Sequence, residues 1–408
     1  MTVRRIKYQY RVIDQRAGND QPPLLAVSIH HGVVRRDTLT DNLPRAEDLS
    51  NYKLCQPGDI VLNRMRAFQG AIGISAQRGL VSPDYAVLRP SPDVDARYLH
   101  HLFRSSWFVG EMVSRLRGIG NTENGAVRTP RINPEDLGDI AVDFPRIEEQ
   151  RRIADFLDAE TARIDQLAIL QQTVRSSVEA RTVAQLDFKI DELTAKYDTV
   201  PFRRMFWSIE QGVSPQCDNF PAGPEDWGVL KVSAVKNGTF LQDENKQLPP
   251  DIKPETRYEI KDRDLLITRA NTPQLVGAAA VVNSPRPKLM LCDKIFRIAT
   301  TCDLLPEFLA LVSLGTRIRD MCAEASHGTS QSMANLKSEE IKRWPIPAAP
   351  ASVQQTAIKE MSAAKEHARA LVSAIDNQLA LLAERRQALI AAAVTGQIDV
   401  TTARGVAI

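Results

Sequence analysis

Two stretches of this chain, residues 146–200 and 351–395, contain neither glycine nor proline, although both residues punctuate the rest of it. A helix needs an unbroken ladder of N–H donors, which proline interrupts and glycine weakens. Both stretches are rich in Ala, Leu, Gln, Glu and Arg, which are good helix formers. A helix of about 40 residues is roughly 60 Å long at 1.5 Å per residue, too long for the core of a compact domain. In the second stretch Ile358, Met361, Ala368, Val372, Ile375, Leu379, Leu382, Leu389 and Ala393 follow alternating steps of three and four, with Lys365 and Arg386 at two seam positions. In the first, Ile153, Leu157, Ile164, Leu167, Val174 and Val178 keep the same rhythm, interrupted by the polar Glu160 and Gln171. So narrow a stripe suits a helix packed along one other helix. The expectation is that the two long helices pack on each other, antiparallel.

The segments between them have another character. Asp59-Ile60-Val61-Leu62, Gly228-Val229-Leu230-Lys231-Val232 and Asp264-Leu265-Leu266-Ile267 are short β-rich runs. Turn residues separate them, as in Gln56-Pro57-Gly58 and Lys236-Asn237-Gly238. These segments also repeat. Pro57–Arg64 resembles Asp262–Arg269, and Gln69-Gly70-Ala71-Ile72 matches Val276-Gly277-Ala278-Ala279. Ala96–Leu99 aligns with Pro306–Leu309, and Ile132–Leu137 with Leu336–Ile341. Pro145 and Gln150–Ile153 align with Pro350 and Gln355–Ile358. Ordered matches at a nearly constant offset mark a duplicated unit. The expected fold is α+β: two repeated mixed α/β globular domains at 1–145 and 201–347, separated by an antiparallel two-helix coiled coil. The long helices occupy 146–200 and 348–408, and the arrangement is pseudo-two-fold symmetric. A single chain of this kind imitates a dimer, and two-fold dimers match the symmetry of duplex DNA.

Composition narrows the class. No uncharged apolar run among the 408 residues approaches the roughly 20 that a membrane span needs. The first residues show no secretory signal. Cys55, Cys217, Cys292, Cys302 and Cys322 form no CxxC pair, which leads to an expectation of reduced thiols and a cytoplasmic protein. Net charge is only +2, but residues 1–145 hold 17 arginines against two lysines. Arginine's planar fork suits phosphate and guanine.

The motifs resemble the specificity subunits of Type I restriction–modification enzymes, over essentially the whole chain. Tyr258–Arg269 is similar to a segment of that family's target-recognition domains, as is Gln69-Gly70-Ala71-Ile72-Gly73-Ile74 followed by Val81-Ser82-Pro83-Asp84-Tyr85. The join Ile140–Ile153 resembles the family's strand-Pro-Pro-x-x-Glu-Gln lead into a conserved helix, with one of the two prolines present. In the second copy Val353-Gln354-Gln355 stands for Glu-Glu-Gln. The resemblance implies two target-recognition domains, each reading half of a split site in double-stranded DNA. It also implies helices that set the gap and dock DNA methyltransferase (modification) subunits, with a restriction motor-nuclease subunit as a further partner. No membrane and no cofactor are implied. A protein-binding scaffold without DNA specificity, or the specificity subunit of a fused restriction–methylation system, also accommodates the repeat and the helices. Salt-sensitive binding to duplex DNA separates the scaffold from the others.

Catalytic motifs are missing, as a non-enzymatic subunit requires. Asn133-Pro134-Glu135-Asp136 lacks the second proline and the aromatic of an amino-methyltransferase motif, and reads as a helix start. Gly118-Ile119-Gly120 is followed by Glu123 where a nucleotide loop needs glycine, and GxxxxGK[ST] is absent. His30-His31 lacks a partner at ligand spacing, and His100-His101 begins what reads as an amphipathic helix. What remains is binding chemistry. Arg64, Arg66 and Gln69 follow a strand in the first module; Arg269, Asn271 and Gln274 follow the matching strand in the second. Arginine pairs with guanine, and Asn or Gln with adenine, but the same side chains also hold phosphate or cap a sheet. The loops carrying Asn121 and Ser330-Gln331 also correspond between copies.

If the helices are the ruler, their length sets the gap. Removing 168–174 and 372–378 keeps the seam in phase and shortens the pair by roughly 10 Å. That is about three base pairs, and it turns one half-site by roughly 100° around the duplex. A gel-shift series with varied gaps should show loss of the original site, or the same half-sites at a shorter gap. Unchanged affinity for the original gap removes the helices from that role.

Overall fold

The computed structural model describes residues 2–29, 31–39, 48–116, 130–236, 238–325, 327–330 and 333–400. The chain divides into two compact units: residues 1–171 with 376–408, and residues 172–375.

The first unit begins with nine strands: β1 (Thr2–Arg5), β2 (Tyr10–Ile13), β3 (Leu25–Ser28), β4 (Gly32–Arg35), β5 (Lys53–Cys55), β6 (Ile60–Asn63), β7 (Ile72–Ile74), β8 (Gly79–Val81) and β9 (Tyr85–Pro90). Helices α1 (Ala96–Arg104), α2 (Ser106–Val113) and α3 (Pro134–Gly138) follow, then β10 (Ala141–Phe144) and the long α4 (Ile147–Tyr197). The main sheet is antiparallel in the order β2-β9-β6-β7, and β1 pairs with β10.

The second unit continues with β11 (Thr199–Pro201), β12 (Phe206–Gln211), β13 (Gly228–Leu230), β14 (Val235–Lys236), β15 (Thr239–Phe240), β16 (Asn245–Gln247), β17 (Leu265–Thr268), β18 (Ala270–Asn271), β19 (Ala279–Val281), β20 (Leu289–Met290) and β21 (Ile295–Thr300). Next come α5 (Pro306–Val312), α6 (Thr316–Ala325), β22 (His327–Ser330), β23 (Met333–Asn335), α7 (Ser338–Ile341), β24 (Pro345–Pro347) and the long α8 (Ala351–Val394). Its main sheet is antiparallel in the order β12-β21-β17-β19, and β11 pairs with β24. The two modules therefore share one topology, as the repeat predicts. Even the turn before the third sheet strand is the same. Asp59 accepts the Gln56 N–H and Asp264 accepts the Lys261 N–H, each at 2.8 Å.

Each core takes residues from both long helices. In the first unit Tyr98, Phe103 and Phe108 pack with Ile153, Ala154 and Leu157 from the start of α4 and with Ile390, Ala393 and Val394 from the end of α8. In the second, Phe202, Phe308 and Trp344 pack with Leu193 from the end of α4 and Ala357 from the start of α8. Burying each large apolar side chain contributes about 1.5–3 kcal/mol. Within the first unit Asp165 meets Arg386 at 3.2 Å, and within the second Lys189 meets Glu360 at 2.9 Å. In each unit, positions that climb α4 descend α8, so the helices pair antiparallel.

The seam in α8 follows the expected rhythm. From Lys365 to Leu389 the residues withdrawn from solvent are Lys365, Ala368, Val372, Ile375, Leu379, Leu382, Arg386 and Leu389, with every residue between them exposed. In α4 the rhythm departs at Val174, which is 50% exposed, while Arg175 takes the inner place. There the inward positions step through Gln171, Arg175, Val178, Thr182 and Leu186. This longer average step follows the natural turn of 3.6 residues rather than a strict 3.5. Arginine fits the inner position because its aliphatic stem packs while its head stays polar.

Two further readings need correction. His100-His101 does not begin a helix: α1 starts at Ala96, where Asp95 caps it by accepting the N–H groups of Arg97 and Tyr98. At the start of α8 the sequence pairs Gln150 with Gln355, whereas the buried counterpart of Gln150 is Gln354, one residue earlier.

The matched glycines Gly70 and Gly277 have a shared cause. Both are left-handed, with φ of +92° and +75°, where a Cβ costs about 1–2 kcal/mol. A Cβ at Gly70 meets nothing closer than 3.9 Å, but one at Gly277 falls 2.5 Å from Cys322 Sγ. Denaturant unfolding of the full chain should show Gly70→Ala losing about 1–2 kcal/mol and Gly277→Ala losing clearly more. Equal losses would show that the Cys322 contact gives way freely.

Candidate nucleic-acid interface

The candidate residues lie on two equivalent loops. In the first unit the β6–β7 loop carries Arg64, Arg66 and Gln69; in the second the loop from β17 to β19 carries Arg269, Asn271 and Gln274. The Arg64 carbonyl accepts the Ile132 N–H at 3.1 Å, and the Arg269 carbonyl accepts the Leu336 N–H at 2.8 Å. Both arginines thus leave the third sheet strand at the same point, beside the segment that leads into the last short helix.

Their side chains differ. Arg64 is engaged within the module, with Nε donating to the Ile132 carbonyl at 3.2 Å and Nη2 to Asn133 Oδ1 at 2.6 Å. Asn133 in turn donates to Asp136 and precedes α3, the helix start read from Asn133-Pro134. Arg66 and Gln69 are exposed on the same loop, which a short 3-10 turn and Gly70 close. Arg269 and Asn271 are half-buried and Gln274 is exposed. Asn271 lies in β18, where its Oδ1 accepts the Thr272 N–H at 2.8 Å. β18 joins β23 and β22 in one three-stranded sheet, so the backbone of Ser330 at the end of β22 shares that sheet with Asn271. Asn121 and Gln331 lie outside the described residues.

Two residues not among the expected contacts join the first loop. Tyr85 starts β9 opposite Asn63, whose Nδ2 donates to its hydroxyl at 3.4 Å. Burial raises the phenol's pKa, while the neighbouring charges of Arg36 and Arg66 pull it down. Asn63 and Tyr85 thus make a hydrogen-bonding pair at one end of the sheet, under the influence of the Arg36 and Arg66 charges. In the second unit Arg319 on α6 holds the other loop by donating to the Gln274 carbonyl at 2.9 Å. Among the described residues no group of three or more His, Cys, Asp or Glu could hold a metal ion. The arrangement offers hydrogen bonds and charge to a ligand.

No protein-family model matches the chain. A 170-residue stretch is 32% identical to the Type I restriction enzyme EcoEI specificity subunit of Escherichia coli, covering 41% of this chain and 29% of that subunit. Over 360 residues the chain is 22% identical to the EcoKI specificity subunit of Escherichia coli strain K12, covering 84% of this chain and 75% of that one. Over most of its length the chain is thus similar to the specificity subunits of Type I restriction enzymes. Among solved structures, a chain of a type I R-M system, studied for its complex assembly and conformational transition, has the same fold. It gives a TM-score of 0.70 at 16% identity, covering 97% of this chain and 98% of that one.

In this chain the paired histidines serve the frame rather than the loops. His101 Nε2 meets Asp158 Oδ1 of α4 at 2.8 Å. His100 is half-buried, and its Nδ1 is buried without a hydrogen-bond partner. Burial, then the charges of His101, Arg104 and Arg386, push its pKa down to about 3. Burial also lowers His101, against the opposing pull of Asp158. A depressed histidine pKa means that the unfolded chain binds more protons between about pH 6.5 and the folded value. Stability should therefore fall as pH drops below about 6.5, by up to about 1.4 kcal/mol per pH unit for His100. Denaturant titrations at stepped pH should show this slope, and His100→Leu should flatten it. An unchanged slope in that variant assigns the acid sensitivity elsewhere.

Proposed function

We propose that this chain reads a bipartite site in double-stranded DNA, one half with each unit, and presents that site to DNA methyltransferase (modification) subunits and a restriction motor-nuclease subunit. The observation that carries this reading is the duplicated module: the same sheet order, the same polar loop after the third strand and the same seat on a long helix, built twice in one chain. Two equivalent readers in one chain need two half-sites. The sequences of the two loops differ, Arg64-Met65-Arg66 with Gln69 against Arg269-Ala270-Asn271 with Gln274, so the half-sites should differ too.

Arg66 and Gln69 stand on this reading as base or phosphate contacts in the first half, with Arg36 and Tyr85 beside them. Arg269, Asn271 and Gln274 hold the matching place in the second, and Asn121, Ser330 and Gln331 belong to the neighbouring loops. Arg64 acts one step behind, since its guanidinium holds the segment before α3. The family relation supports the partners; the named relatives are specificity subunits of enzymes that restrict DNA. No helix among the described residues is long and apolar enough to cross a membrane, and a cytoplasmic site of action accords with the proposed DNA substrate.

The test is a module exchange. Residues 201–347 are replaced by the matching segment of another specificity subunit, and the hybrid is assayed with its methyltransferase partner on a randomised duplex library. One half-site should change and the other persist. A folded hybrid that alters both halves would mean that each half is read jointly. Within the native chain, Arg66→Ala should cost about 1–3 kcal/mol on the first half-site alone if it reads a base. A uniform loss across sequences would mark a phosphate contact instead.

A further inference from the structure

We infer that Gln150 and Gln354 are a matched pair of joints, each fixing the angle at which its module meets a long helix, and that they thereby act as positioning residues for gap selectivity. The second clause rests on the bipartite reading above.

Gln150 is the fourth residue of α4 and Gln354 the fourth of α8. They are 1% and 0% exposed. Gln150 Oε1 accepts the Asp95 N–H at 2.9 Å, while its Nε2 donates to the Asp93 carbonyl at 3.3 Å and the Pro145 carbonyl at 3.0 Å. Gln354 Oε1 accepts the Leu305 N–H at 2.9 Å, while its Nε2 donates to the Asp303 carbonyl at 2.7 Å and the Ala349 carbonyl at 2.8 Å. The same three bonds thus occur twice. Each glutamine ties its long helix to the loop before the module's first helix, α1 or α5, and to the exit of its last strand, β10 or β24.

The chemistry explains why a glutamine stands there. The joint needs two donors and one acceptor at the end of one side chain, directed to backbone groups of different segments. A carboxylate has no donors, and an ammonium has no acceptor. A buried amide without partners is costly, and one with three partners in a low-dielectric interior holds its segments stiffly. Packing alone would be served as well by leucine or methionine. The two joints differ in their surroundings. Near Gln150, Arg97 of α1 also pairs with Asp155 and Asp158 of α4 at 2.7 and 3.1 Å. At the second joint the residue matching the Asp95 cap is Leu305, which makes no side-chain cap bond. Loss of Gln354 should therefore loosen its module more than loss of Gln150.

The experiment uses the full chain with its methyltransferase partner. Gln150→Met and Gln354→Met keep the volume and remove the bonds; Gln150→Glu and Gln354→Glu keep the acceptor and remove the donors, should a methionine variant not fold. Once methylation mapping has given the site, synthetic duplexes carry the same half-sites with the gap changed by one or two base pairs. Each variant should keep its half-site sequences but reduce the native preference for the correct gap by about threefold or more, with Gln354→Met the larger effect. An unchanged gap preference in both overturns the positioning role. In the free chain, hydrogen exchange of the peptides holding Asp95 and Leu305 should quicken at least about tenfold, each only in its own variant. Unchanged exchange overturns the joint itself. If the native complex shows no gap preference at all, the bipartite reading and the positioning clause fail, and the exchange arm alone decides whether the joints exist.

Discussion

Antiparallel pairing of the two long helices is the constraint on which the rest of this structure depends. Neither module closes its core alone. The first borrows Ile390, Ala393 and Val394 from the far end of the chain, and the second borrows Leu193 from the helix that precedes it. Because α4 and α8 each contribute to both units, losing the pairing would open both cores. The apolar seam supplies most of the attraction, while solvent-accessible ion pairs such as half-buried Lys189 with Glu360 add less. This follows from elementary geometry. Helices of 51 and 44 residues cannot bury an apolar stripe inside a small domain, so they bury it against each other and the modules.

A duplicated module on such a frame has a functional consequence. The conserved parts of the repeat are structural: the Asp59 and Asp264 turns, the Gly70 and Gly277 bends and the Gln150 and Gln354 contacts. The parts that differ are the loop side chains after the third sheet strand and the smaller sheets around them. A design that keeps the seat and varies the loops separates how a module is held from what it recognises. The chain's similarity to specificity subunits of Type I restriction enzymes accords with that separation.

Much of the fold is legible in the sequence because it rests on periodicity. The missing glycines and prolines mark both long helices, and the steps of three and four in α8 identify every seam residue from Lys365 to Leu389. The errors also have physical causes. Val174 is read as inward because a 3.5-residue template drifts from a 3.6-residue helix over several turns. Gln355 is taken for Gln354 because adjacent identical residues cannot be ordered without knowing which one is buried. The candidate interface is less legible. Arg64 looks like a reader on the linear chain, but it bonds Ile132 and Asn133, partners almost 70 residues away. Tyr85 meets Asn63 at the end of the sheet through strand pairing, which no spacing along the chain encodes.

The central claim is that one chain carries two separate readers of one duplex. Mapping methylated bases across the genome of a host that carries this chain with its methyltransferase partner tests it most directly. The account predicts a motif of two different short half-sites separated by a gap of fixed length and free sequence, lost when the chain is deleted. A contiguous motif, or methylation that persists unchanged without the chain, would contradict it.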